Sequence, residues 1–127
     1  METKTAEERE VDGYLAEGVF LLQLARPELR PFSLVWDFSP LLTRTGGLAA
    51  YRPAGVHHIE LSAPLWRRAS PSERRWLVLH ELCHIVDGVL HGRTSGHGEP
   101  WKNLMRALRV EPRRCHRIGT KDVKREI

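Results

Sequence analysis

Cysteine is scarce in this sequence: it has two, Cys83 and Cys115, too few for a disulfide framework, and each reads most simply as a free thiol. Long apolar runs are also missing. No stretch approaches the roughly 18 to 20 residues of a membrane span, so no membrane association is expected. The opening METKTAEEREVDG is polar and acidic where a secretion signal would be apolar, which points to an intracellular, cytoplasmic protein. No repeat, low-complexity segment, interdomain linker or Cys-x-x-Cys pair occurs. The 127 residues are 41% hydrophobic and 28% charged, enough for one domain to bury a core without disulfides or a structural metal. The expected domain covers residues 1–127, with a core over about 7–118 and a basic tail over 119–127.

Charge is unevenly spread. From Lys102 to Ile127 nine Lys or Arg face three acids, a charge of +6, while the whole chain carries +4. Such a segment attracts polyanions, and its Arg-rich composition suits phosphate geometry. DNA is therefore an expected partner, beside the plainer reading of a solvated face.

Residues 6–24 carry Val11, Tyr14, Leu15, Gly18 and Leu22 at helical spacing and predict an amphipathic first helix. Three β-rich runs follow, PFSLVWDFS (Pro31 to Ser39), TRTGGLAAY (Thr43 to Tyr51) and VHHIELS (Val56 to Ser62), separated by Pro and Gly. They predict a small three-stranded antiparallel sheet, with Ile59 and Leu61 on one face and His58 and Glu60 on the other. Ser70-Pro71-Ser72-Glu73 is a helix start, with Ser70 as N-cap, Pro71 at the first position and Glu73 closing a capping box. The helix it opens should break near Gly88 or Gly92. After HGRTSGHG, Pro100 begins a second helix with Trp101, Leu104, Met105 and Leu108 in one stripe.

The first of these two helices carries HELCH. His80 and His84 lie one turn apart on one face, where both imidazoles reach a single ion. Neutral imidazoles suit Zn²⁺, and a catalytic zinc takes three protein ligands and leaves one position open. Glu81 sits about 100° round the helix from His80, beside such an ion, where it can act as a base toward water. Cys83 points away from the histidine face and reads as a small core residue.

Three residues compete to be the third ligand. His91 gives a near match to an extended H-E-x-x-H-x-x-G-x-x-H pattern, but one extra residue precedes both Gly88 and His91. On a regular helix that places it about 10 Å along the axis from His84. Glu99 is a carboxylate in a turn before Pro100. His97 is favoured, because glycines at 92, 96 and 98 let the chain double back and Trp101 anchors the return. His57 and His58 read as strand-edge residues.

HELCHIVDGVLHGRTSGHGEPWKNLMRALRVEPRRCH, from His80 to His116, resembles the active-site region of the SprT-like, or Spartan-type, metalloprotease family. The likeness includes the H-E-x-x-H helix, the later H-G-x-x-W, the Leu-Met pair and the closing Pro-Arg-Arg-x-His. TRTGGLAAY and HHIELSAPL resemble the family's strands, so the likeness covers roughly residues 11 to 118. It implies an α+β, zincin-like fold with His80, His84 and His97 as zinc ligands and Glu81 as catalytic base. It also implies hydrolysis of peptide bonds, in Spartan-type members those of proteins trapped on DNA, with DNA promoting cleavage. Many members carry a zinc ribbon of paired cysteines. Here none exists, which leaves DNA engagement to the basic segment or to another protein. Tyr51, Arg114 and His116 are the candidates to stabilise a tetrahedral oxyanion. Two other readings stand beside the protease: a non-catalytic nucleic-acid-binding module containing zinc, and a zinc hydrolase of another amide.

Overall fold

The computed structural model describes residues 3–126; Met1, Glu2 and Ile127, at the ends of the expected domain, lie outside it. The element order is α1 (Ala6–Ala25), β1 (Leu34–Ser39), β2 (Gly47–Ala50), β3 (His57–Ser62), α2 (Ala63–Arg68), α3 (Pro71–His91) and α4 (Glu99–Ala107). The architecture is α+β, four helices with one three-stranded sheet. No helix among the described residues is long and apolar enough to cross a membrane.

Helix α3 starts at the signal read from sequence. The Ser70 side chain accepts from the Glu73 N–H while the Glu73 carboxylate accepts from the Ser70 N–H, and Pro71 stands in the first turn. The helix continues through Gly88 and ends at Gly92, whose φ of 76° is a left-handed conformation that glycine adopts without strain. Gly88 instead makes room for Tyr51, because a Cβ there would come within 2.4 Å of the tyrosine ring.

Two apolar clusters flank α3. Leu79, Leu82, Cys83 and Val86 join Leu22 of α1 and Trp101, Leu104 and Met105 of α4 on one side. Val78 and Ile85 meet Ile59, Leu61, Trp66 and Val11 on the other. Burial on both flanks makes α3 the central element and leaves one face, carrying Leu77, Glu81 and Gly88, to run along β2.

The sheet corrects the antiparallel expectation. Its strand order is β1-β3-β2, with β3 parallel to β1 and antiparallel to β2. The segment 40–46 is too long for a tight hairpin, so β2 does not fold back on β1. The turn over 51–56 then returns β3 into the space between them. Ile59 and Leu61 do point into the core, while His58 and Glu60 are half-buried on the other face. Central placement of β3 also corrects the edge reading of its histidines. His57 is buried, accepts from the Arg52 N–H at 3.0 Å and stacks on Tyr51, whereas His58 reaches Asp37 at 2.8 Å.

The six-residue helix α2 is not among the elements that the sequence predicts. Ser62 ends β3 and caps α2, accepting from the Leu65 N–H, and this seats Trp66 in the sheet-side cluster.

Candidate metal centre

The side chains of His80, His84 and His97 converge. Their Nε2 atoms are 3.3 Å (80–84), 3.2 Å (84–97) and 3.2 Å (80–97) apart. Helix α3 supplies two of the rings, and the segment between Gly92 and α4 supplies the third. Of the candidates for a third ligand, the structure brings His97 to the pair and neither of the others. His91, at the regular end of α3, turns its Nδ1 to the carboxylate of Asp87 at 2.8 Å. Glu99 is the first residue of α4 rather than part of a turn, and pairs with Arg106 at 3.1 Å on the surface.

Trp101 organises the cluster. Its ring stacks on His84 at 5.2 Å and 16°, meets His80 and His97 edgewise, and donates its Nε1–H to the His80 carbonyl. On the far side of His80 lies Trp76, 4.8 Å between ring centroids. Trp76 is four residues before His80 on the same helix, a spacing that could have flagged it.

The electrostatics keep the rings neutral. Burial first, then the neighbouring His84 and His97 and the more distant Arg113 and His116, lowers His80 to about 3. His84 falls to about 4, through burial and His97, against opposing effects from Asp87 and a backbone hydrogen bond to Gly96. His97 is lowered by burial and by Arg114. Each Nε2 is then either an N–H or a lone pair, so among three mutually touching atoms at least two are alike and one contact is repulsive. A cation removes the conflict by taking three lone pairs at once. Edges of this length place their common centre about 1.9 Å from each nitrogen in the plane (edge divided by √3). That is close to the roughly 2.0–2.1 Å of a metal–imidazole bond such as Zn–N, so the three nitrogens are spaced to share one ion. The group therefore fits a bound metal ion.

Glu81 is 5% exposed and carries an oxygen 4.0 Å from His80 Nε2. Burial pushes its carboxyl up to about 8. Gly47 of β2 gives it space, since a Cβ there would stand 3.0 Å from Glu81 Cγ and 2.8 Å from the Glu60 carbonyl. Cys83 is fully buried among core side chains, and burial pushes its thiol up.

Two depressions meet at His80 and Glu81. One, of about 180 Å³, lies over Trp76 and Leu77 with Arg44 and His116 at its rim; the other, of about 320 Å³, runs between Leu48 of β2 and His97. Arg114 borders both. Among the oxyanion candidates, Tyr51 is packed on Gly88 and His57, away from the cleft. His116 spends both nitrogens: Nε2–H donates to the Arg44 carbonyl at 2.6 Å and Nδ1 accepts from the Ile118 N–H. Arg114 is exposed and has no ion-pair partner among the described residues.

The segment after α4 is a wall of this cleft. Trp76 donates to the Glu111 carbonyl, the Arg113 guanidinium lies 4.5 Å over the Trp76 ring, and Ile118 is buried. Beyond it, Glu126 pairs with Arg67 at 2.8 Å and its N–H donates to the Pro40 carbonyl.

Fold and cluster together define an α+β protein whose central helix and following segment present three histidines able to hold a metal ion. The sequence matches the SprT-like family over residues 21–120, and the chain belongs to that family. It is also similar to Protein SprT of Shewanella oneidensis, with 29% identity over 79 residues, 58% of this chain and 51% of that one. The chain thus spans about half the length of the curated relative it matches.

Proposed function

We propose that the protein is a zinc-dependent endopeptidase of zincin-like fold, acting as one domain in the cytoplasm. Its substrates are proteins, with DNA-bound or DNA-crosslinked proteins as the class the family resemblance suggests. His80, His84 and His97 hold the ion through Nε2, and Glu81 is the catalytic base. The observation that carries this reading is the convergence of three neutral imidazoles beside a buried carboxyl in an open cleft. A purely structural site has no use for that carboxyl.

Bound zinc supplies Lewis acidity, polarising a carbonyl and acidifying water. The remaining work falls to the chain. The outer side of β2 is free, since β3 occupies the other, and an extended peptide can pair with it through main-chain hydrogen bonds. Glu81 takes the proton of the attacking water and passes it to the departing amine. Its raised pKa suits proton delivery near neutrality, and positive charge held at the imidazoles favours the ionised form that acts as base. Arg114 donates to the tetrahedral oxyanion. DNA is the second partner, bound through the C-terminal segment, where Lys121, Lys124 and Arg125 have no ion-pair partner among the described residues. Binding should weaken steeply with salt.

The test compares wild type with Glu81→Gln at measured zinc content, on a DNA-binding protein substrate with and without single-stranded DNA. Equal zinc with cleavage by wild type alone supports the reading. Equal zinc and no cleavage by either would replace it with the alternative, a non-catalytic zinc-containing nucleic-acid-binding module.

A further inference from the structure

We infer that Asp87 is a positioning residue for the metal centre, a buried carboxylate that latches the segment carrying His97 to α3; the inference rests on the three-histidine reading above. Asp87 is 0% exposed, and a buried carboxylate is costly unless its oxygens are satisfied. Here both are. Oδ2 accepts from the Ser95 backbone N–H at 2.7 Å and from the Ser95 hydroxyl at 2.6 Å. Oδ1 accepts from His91 Nδ1 at 2.8 Å. That nitrogen also faces the Asp87 carbonyl at 3.0 Å, so with two acceptors before it Nδ1 carries the proton.

All of these bonds go to residues 91–95, and none to the sheet, α1 or α4. Asp87 therefore does not knit the core. It restrains an exposed stretch, in which no residue from 91 to 100 is buried and Gly92 and Gly96 are in the left-handed region, and it adds to another tie from α3, the hydrogen bond between His84 and the Gly96 backbone. The next anchor is Trp101. Ser95 passes the restraint on: with its N–H and hydroxyl fixed by Asp87, its carbonyl accepts from the Gly98 N–H at 3.1 Å and closes the turn that presents His97. Sequence position gives no hint of this, since Asp87 falls outside H-E-x-x-H and matches no ligand spacing.

The variants separate a latch from general stability. Asp87→Ala should raise the zinc dissociation constant by roughly ten- to a hundredfold, the range for residues that orient metal ligands, read by competition with a chromophoric chelator. Its Co²⁺-substituted absorption spectrum should resemble that of His97→Ala, a signature that mere destabilisation does not produce. Ser95→Ala, which keeps the backbone bond, should weaken zinc binding less than Asp87→Ala. Asp87→Asn has one oxygen, enough for the Ser95 pair but not for His91 as well, and should recover most of the affinity lost in Asp87→Ala. In the protein as purified, amide exchange at Ser95 should quicken in Asp87→Ala while the α3 amides before Asp87 stay protected. Wild-type zinc affinity and spectrum in Asp87→Ala, or unchanged Ser95 exchange, would overturn the latch. Wild type failing to bind zinc would instead overturn the three-histidine reading, with the exchange measurement still deciding the latch. If Asp87→Ala does not fold, Ser95→Ala is compared with wild type instead: weaker zinc binding with faster exchange at the residue 95 amide supports the latch, and wild-type values of both overturn it.

Discussion

Glu81→Gln should make the metal-free protein more stable, by an amount that depends on pH. The folded protein holds Glu81 at about 8 against an ordinary 4.5. Between those values the folded state keeps a proton that the unfolded state has released, so stability falls as pH rises through the window. At pH 7 the gap opened is 2.5 pH units above 4.5, and at 1.36 kcal/mol per unit burying Glu81 costs about 3 kcal/mol, an order-of-magnitude figure. Gln resembles the protonated acid in shape and does not titrate, so it avoids this cost. The assay is urea unfolding of both variants in chelator from pH 4.5 to 8.5. The difference should be near zero at pH 4.5, about 3 kcal/mol at pH 7 and flat above pH 8. His80 and His84 titrate alike in both variants and cancel. A Gln variant no more stable than wild type at pH 7, or a difference that does not close in acid, would refute the argument.

Two further outcomes follow from the site. His80 and His84 are lowered to about 3 and about 4, and burial and Arg114 lower His97 as well, so the loss of zinc affinity on acidification should set in below the roughly 6.5 of an ordinary imidazole; chelator competition showing a steep loss already at about 6.5 would contradict this. Gly47→Ala should destabilise by roughly 1–3 kcal/mol through overpacking and reduce activity by displacing Glu81, because its new Cβ meets the Glu60 backbone as well; unfolding and rate measurements showing neither effect would contradict the close approach.

Helix α3 was legible because its signals are local: the Ser70–Glu73 box, Pro71 and the apolar spacing all lie within the segment they specify. The pairing of His80 and His84 on one face follows from helical repeat alone. The glycines around His97 favour it as a ligand, but glycine only permits a reversal; the direction comes from Asp87 gripping Ser95 and from Trp101 packing on three rings. Strand order was not legible, since nothing in the three β-rich runs says that β3 inserts between the other two. The basic segment was read from its charges, while what docks it is distant in sequence: Trp76 under Arg113, Arg44 beneath His116, and Arg67 against Glu126. Helix α2 was hidden because Ser62 both ends a strand and starts a helix.

The free side of β2 has a cost for a protein that must not stick to itself. An unpaired strand edge is a template for any extended chain, including another copy of this one. Here the edge is four residues long, Gly47–Ala50, and is bracketed by Arg44 and Arg52. Two copies approaching edge to edge would bring those arginines together, whereas a single peptide laid along the same edge meets only one set. Brevity and flanking charge thus let the strand stay open to a visitor while discouraging fibre-like pairing of the protein with itself.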